Sequence, residues 1–189
     1  IAHPQFHPDD ANLLRYAGPH TDRLWIVRRD GSDHRLVYQR DAAAREWIVH
    51  ETWRPGTQEI IASNWPHGVI AFDVETGRRR WITRRRAWHP MVDRSGTQIV
   101  ADTNWPDEGL ILFDAELENG PTETICYPEA TNAGRHWHTD HCPYDDGPVD
   151  IDAPQHTHPH PSFSPEGDRI VYTSDRSGMA QVYEVVLGD

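Results

Sequence analysis

The sequence predicts an all-β fold built from four consecutive β-propeller blades. Three observations predict it: a histidine-led repeat that recurs four times, strand and turn signals at matching offsets inside each copy, and a turn-rich composition. The 189 residues include eight Trp, fifteen Pro and thirteen Gly, which fits short strands joined by tight turns better than long amphipathic helices.

The repeat begins at His3, His50, His89 and His160. Three residues on, each copy places Phe6, Trp53, Val92 or Phe163, and after a turn it places the apolar pairs Leu13-Leu14, Ile60-Ile61, Ile99-Val100 and Ile170-Val171. The four copies align without gaps. Pro8, Pro55 and Pro165, with Gly56, Gly96 and Gly167, mark the turn as a hairpin between two strands. A third strand follows in each copy, around Trp25, Ile70, Ile111 and Tyr183. In the first three copies an Asp-Gly, Thr-Gly or Asn-Gly turn leads to a fourth strand, such as Arg80-Trp81-Ile82-Thr83. Four antiparallel strands in a unit of about 40 residues is the propeller blade.

Residues 1–189 therefore read as a single propeller segment, with blades starting near 3, 50, 89 and 160 and an insertion at 127–158 over the channel. The chain opens at Ile1 and its last unit ends after a third strand. The expected whole is a longer propeller, with this chain as its C-terminal half; a closed four-bladed ring is the alternative.

The formal charge of −12 argues against a nucleic-acid or anionic-membrane binder, since such partners call for a basic face. No apolar run approaches the roughly 20 residues of a membrane-spanning helix, and no basic-then-apolar leader opens the chain. The chain reads as soluble. Cys126 and Cys142 stand in no metal or redox spacing, which argues against a disulfide framework and leaves a single bridge as the one pairing. The basic stretch 78–86 spans the turn into an outer strand and the exit from it, so it reads as a solvated edge guarded by charge.

The first strand of every propeller blade lines the central channel, so the four repeat-start histidines are expected to point toward one axis. The longest spacing, between His89 and His160, contains Gln155-His156-Thr157-His158-Pro159-His160. Long insertions in compact repeats usually carry function. In an extended segment alternate side chains share a face, which puts His158 beside His160, with His89 approaching from the neighbouring blade. Three imidazoles and a nearby donor make a metal site. Strict alternation favours His156 as the further ligand, whereas a bend near Pro154 brings Gln155 round instead.

A rival constellation, His136-Trp137-His138-Thr139-Asp140-His141, fits the H-x-H-x-D-H pattern of the metallo-β-lactamase superfamily. There the motif precedes a helix, whereas here Cys142-Pro143-Tyr144-Asp145-Asp146-Gly147-Pro148 follows and cannot start one. The segment reads as a polar loop over the channel mouth.

Taken together, His3-Pro4, Gly18-Pro19-His20 with Asp22-Arg23-Leu24-Trp25, His50-Glu51-Thr52-Trp53, His89-Pro90 and the Pro154 to His160 run resemble the oligogalacturonate lyases. The resemblance implies a seven-bladed propeller of bacterial, cytoplasmic pectin breakdown and a divalent metal, manganese. It implies metal ligands at His89, Gln155, His158 and His160, a catalytic base at His50 and a carboxylate-binding arginine at Arg23, with His20 a further residue facing the site. It also implies β-elimination on oligogalacturonates. Thr52 and the His-rich loop from Arg135 to His141 depart from the family pattern. The competing class is a non-catalytic propeller that binds a peptide or glycan, because propellers host many functions. Oligomeric state is not legible.

Overall fold

The computed structural model describes residues 2–19, 21–103, 107–131 and 157–188. They form four antiparallel sheets. The first carries β1 (Ala2–Phe6), β2 (Leu13–Ala17), β3 (Leu24–Arg28) and β4 (Arg35–Tyr38) in chain order. The second carries β5 (Trp47–Trp53), β6 (Glu59–Trp65), β7 (Gly68–Asp73) and β8 (Arg79–Thr83), and the third β9 (Met91–Val92), β10 (Gln98–Asp102), β11 (Leu110–Asp114) and β12 (Glu123–Cys126). The fourth has β13 (Ser162–Phe163), β14 (Arg169–Ser174) and β15 (Gln181–Val186). These are the four blades that the repeat predicts. Among the described residues no helix is long and apolar enough to cross a membrane.

The apolar pair of each repeat explains how the blades stack. Neighbouring strand residues face opposite sides of a sheet, so Ile60 packs with Leu24 and Ile26 of the first blade, while Ile61 packs with Ile99 and Ile111 of the third. Ile99 turns back toward the second blade, and Val100 packs with Ile170 and Tyr172 of the fourth. An inner blade thus buries both faces, which requires an unbroken apolar pair rather than simple alternation.

The first blade departs from the ungapped alignment. Trp53 pairs with Ile60, Val92 with Ile99 and Phe163 with Ile170, but Phe6 pairs with Leu14 rather than Leu13. Its hairpin holds one extra residue, closed by the His7 N–H donating to the Leu13 carbonyl at 2.9 Å, where the second hairpin closes from Arg54 to Glu59. A one-residue slip exchanges faces. Leu13 therefore faces the second blade, and Arg15 stands in the pairing position that Ile61 and Val100 hold in the next two blades.

In the basic stretch Arg78, Arg79 and Arg84 are exposed, as a solvated edge requires, but Arg80 is not. Arg80 is 8% exposed; it donates to Glu59 through Nε at 2.7 Å and Nη2 at 2.6 Å, and to the Ala115 carbonyl at 2.6 Å. Arg54 reaches Glu59 from the other side at 2.8 Å and the Gly96 carbonyl at 2.6 Å. Together they tie the second blade to the third. Arg84 lies over the Trp81 ring at 3.9 Å, a cation–π contact.

Candidate active site and metal centre

A bulge in β5 creates the centre of the site. The register between β5 and β6 shifts between Val49 and Thr52, and His50 takes φ 54° there. Non-glycine residues rarely occupy that region, and such strain gathers at functional positions. His3 and His160, at the same place in their repeats, have φ 51° and 46°. The bulge sends two consecutive side chains to different neighbours. His50 meets Trp88 and His89 of the third blade, at ring distances of 4.9 and 4.2 Å, whereas Glu51 meets Arg15 and Arg23 of the first.

His89 precedes β9 and is held by Asp102, the last residue of β10. The Asp102 carboxylate accepts the His89 backbone N–H at 2.9 Å through Oδ1 and contacts ring Nδ1 at 2.7 Å through Oδ2. Oδ2 also accepts the His160 backbone N–H at 3.2 Å. Burial opposes the charge on Asp102, but the His89 ring and these hydrogen bonds outweigh it and hold the carboxyl down at about 2.

His158 and His160 enter along a segment without regular strand structure, anchored by the Thr157 N–H on the Thr131 carbonyl at 2.9 Å and the Thr173 N–H on the Pro159 carbonyl at 2.8 Å. The extended alternation expected from sequence is broken by the left-handed backbone of His160. The rings nevertheless lie 6.5 Å apart. His89 is 5.0 Å from His158 and 3.5 Å from His160, and His50 is 6.1 Å from His160. Four of the predicted residues therefore meet. Gln155, with its rival His156, lies outside the described residues, as do His20, Cys142 and the 136–141 motif.

Burial, then the neighbouring His89 and His160, then Arg23 and His158, push His50 well below the usual imidazole range. Its ring is uncharged at neutral pH. Desolvation and His89 lower His160 to about 4, although it keeps an exposed edge. A cavity of about 430 Å³ opens beside these rings, with His3, Gln5, Arg15, His50, His89 and His160 on its wall.

Arg23 comes from the short loop between β2 and β3. The loop closes through the Gly18 N–H on the Arg23 carbonyl at 2.7 Å and the Trp25 indole N–H on the Asp22 carbonyl at 2.6 Å. A side chain at Gly18 would sit 2.5 Å from that carbonyl oxygen, which reserves the position for glycine. Arg23 Nε donates to Glu51 Oε1 at 2.5 Å. Arg15 approaches Glu51 Oε2 at 3.5 Å and donates to the Glu51 carbonyl. Sequence reading missed Glu51, Arg15 and Asp102 as parts of the site. Only the run His50-Glu51 pointed toward the first of them.

The donor set fits a divalent cation. The imidazoles of His89, His158 and His160 lie together, and Asp102 occupies Nδ1 of His89, which leaves Nε2 for an ion. Among the described residues no three His, Cys, Asp or Glu groups already stand in a metal-holding arrangement. His89 and His160 stack with an interplanar angle of 26°, so one ring must turn about its side-chain torsions before both aim in-plane lone pairs at one ion.

Comparison with known proteins gives a consistent picture. The family model for oligogalacturonate lyase matches residues 1–189. An oligogalacturonate lyase of Dickeya dadantii is 29% identical over 201 residues, covering 100% of this chain and 50% of its own length. A solved oligogalacturonate lyase in complex with manganese superposes with a TM-score of 0.75 at 24% identity, over 100% of this chain and 48% of that one. A solved oligogalacturonate lyase of Vibrio parahaemolyticus gives 0.73 at 22% identity, over 99% and 49%. The chain spans about half the length of these relatives.

Proposed function

This chain belongs to the oligogalacturonate lyase family, and from that premise we propose that it cleaves oligogalacturonates by metal-assisted β-elimination. The observation that carries the reading is the meeting of His50, His89, His158 and His160 from three blades, beside a guanidinium fixed by a buried carboxylate. In this reading His89, His158, His160 and Gln155 hold the metal, His50 is the base and Arg23 binds the substrate carboxylate. Manganese is the proposed ion, supported by the manganese complex of a solved oligogalacturonate lyase with this fold.

The difficult step is removal of the weakly acidic C5 proton of a galacturonate residue. His50 is neutral, so a ring nitrogen has a lone pair to take that proton. As the C5–H bond breaks, its electrons form the C4–C5 double bond and the C4–oxygen bond opens. The leaving oxygen becomes a hydroxyl by taking up a proton. Negative charge builds on the C5 carboxylate during this step, and in this reading Arg23 meets it with the part of the guanidinium that Glu51 does not occupy. A divalent metal, which His89, His158, His160 and Gln155 would hold, would supply Lewis-acid stabilisation of the same charge.

Residues 1–189 serve in this reading as one propeller segment, with blades starting near 3, 50, 89 and 160, the 127–158 insertion over the channel, and four blades contributed to a seven-bladed ring. The proposed location is the bacterial cytoplasm, supported by relatives that are bacterial lyases.

His50 and His158 separate the two roles. His50→Ala is expected to abolish elimination and keep metal binding, and His158→Ala to weaken both. Metal loss in His50→Ala, with normal turnover in the fraction that stays loaded, would exchange base for ligand and defeat the assignment.

A further inference from the structure

We propose that Asp102 is a positioning residue that sets the tautomer of His89 and the approach of His160, so that both present coordinating nitrogens to the metal. The inference rests on the ligand set above and extends it to a residue that touches neither metal nor substrate.

Asp102 ends β10 and is 2% exposed. Its carboxylate bonds go to His89 and His160, two of the four proposed ligands, and its main-chain carbonyl bonds to the residue just before His89. Oδ1 accepts the His89 backbone N–H at 2.9 Å, and Oδ2 meets His89 Nδ1 at 2.7 Å and the His160 backbone N–H at 3.2 Å. The Asp102 main-chain carbonyl accepts the Trp88 N–H at 2.8 Å. One carboxylate thus joins the start of the third blade to the segment that leads into the fourth.

The chemistry follows from counting donors. A carboxylate only accepts, so the ring nitrogen facing it must carry hydrogen, and Nε2 of neutral His89 keeps its lone pair. Asparagine in the same place has one accepting and one donating end. If its oxygen keeps the His89 backbone N–H, its amide group faces Nδ1 and reverses the tautomer, placing hydrogen on Nε2. The same amide group then confronts the His160 N–H, donor against donor. If the amide is flipped, it confronts the His89 backbone N–H instead. Neither orientation reproduces the carboxylate.

The test uses the full chain, stripped with a chelator and titrated with manganese, with free Mn²⁺ followed by electron paramagnetic resonance. Asp102→Asn is expected to weaken manganese binding about 10- to 100-fold, as loss of an outer-sphere carboxylate does elsewhere. Nitrogen NMR of the metal-free protein supplies an independent readout. His89 is expected to carry hydrogen on Nδ1 in the wild type and on Nε2 in Asp102→Asn. Wild-type affinity together with an unchanged tautomer in the variant overturns the inference. Should the variant fail to fold, the wild-type spectrum still decides, because an Nε2–H tautomer there overturns it. His89→Ala separates the premise from the inference: undiminished manganese binding by that variant overturns the ligand set itself.

Discussion

Glu51 and Arg23 meet edge-on across the boundary between the first two blades, with Nε of the guanidinium 2.5 Å from Oε1 of a carboxylate whose side chain is fully buried. Arg15 shares the carboxylate from the same blade as Arg23. Burial draws Arg15 down to about 10 against the pull of Glu51, so Arg15 stays charged at neutral pH. One anion therefore offsets two cations in a region of low polarity. Such a carboxylate fixes geometry more than it adds stability, because ion burial cancels much of the attraction.

Glu51→Gln is accordingly expected to loosen Arg23. The expected outcome is a KM for oligogalacturonate raised at least roughly tenfold, in line with the loss of a charge-assisted hydrogen bond of about 1.5–3 kcal/mol. Manganese affinity is expected to stay at the wild-type value. Steady-state kinetics beside a metal titration check both statements, and an unchanged KM contradicts the positioning role.

The Glu59 cluster makes a pH prediction. Burial raises the Glu59 pKa, but the hydrogen bonds from Arg80 and Arg54 outweigh burial and leave it below the ordinary glutamate value. A carboxyl with a depressed folded-state pKa contributes stability above its unfolded pKa and loses it as pH falls through the folded one. Glu59→Gln is expected to lower unfolding free energy by about 3 kcal/mol at neutral pH. The gap to wild type should close as pH drops below the ordinary glutamate range. Urea unfolding at several pH values reads this directly, and a gap that is flat with pH contradicts it.

Trp88 underlies the site from the apolar side. It is 2% exposed and packs with Trp47 at 4.8 Å and Trp65 at 5.3 Å while meeting the His50 ring. Trp88→Ala is expected to cost about 3–5 kcal/mol of stability, and Trp88→Phe less than half of that. Denaturant titration of the two variants checks the order; equal losses would mean that ring volume is not what the pocket requires.

The blades and the histidine cluster were legible because both follow from periodicity. Gly56, Gly96 and Gly167 take the positive φ that their hairpins demand, and Ile60-Ile61 and Ile99-Val100 bury both faces as inner-blade pairs must. The slip in the first hairpin was not legible, because Leu13, Leu14 and Phe6 satisfy the pattern in either register. It is visible only in pairing, and in Phe6 being 55% exposed where Trp53 is 2%. Arg80 misled because a run of arginines looks solvated until a buried acceptor such as Glu59 is known. Asp102 stayed hidden for a related reason: a single acidic residue ending a strand carries no spacing signal, and its partners at His89 and His160 are brought to it by folding alone.

The proposed role of this histidine cluster is metal-assisted elimination. The most direct measurement follows the ultraviolet absorbance of the C4–C5 unsaturated uronate while chelator-stripped protein acts on oligogalacturonates, before and after manganese is added. Metal-assisted elimination gives no product from the stripped protein and a rise on adding manganese that His50→Ala abolishes. A folded, manganese-loaded chain that forms no unsaturated product, or one whose rate is indifferent to manganese, would contradict it.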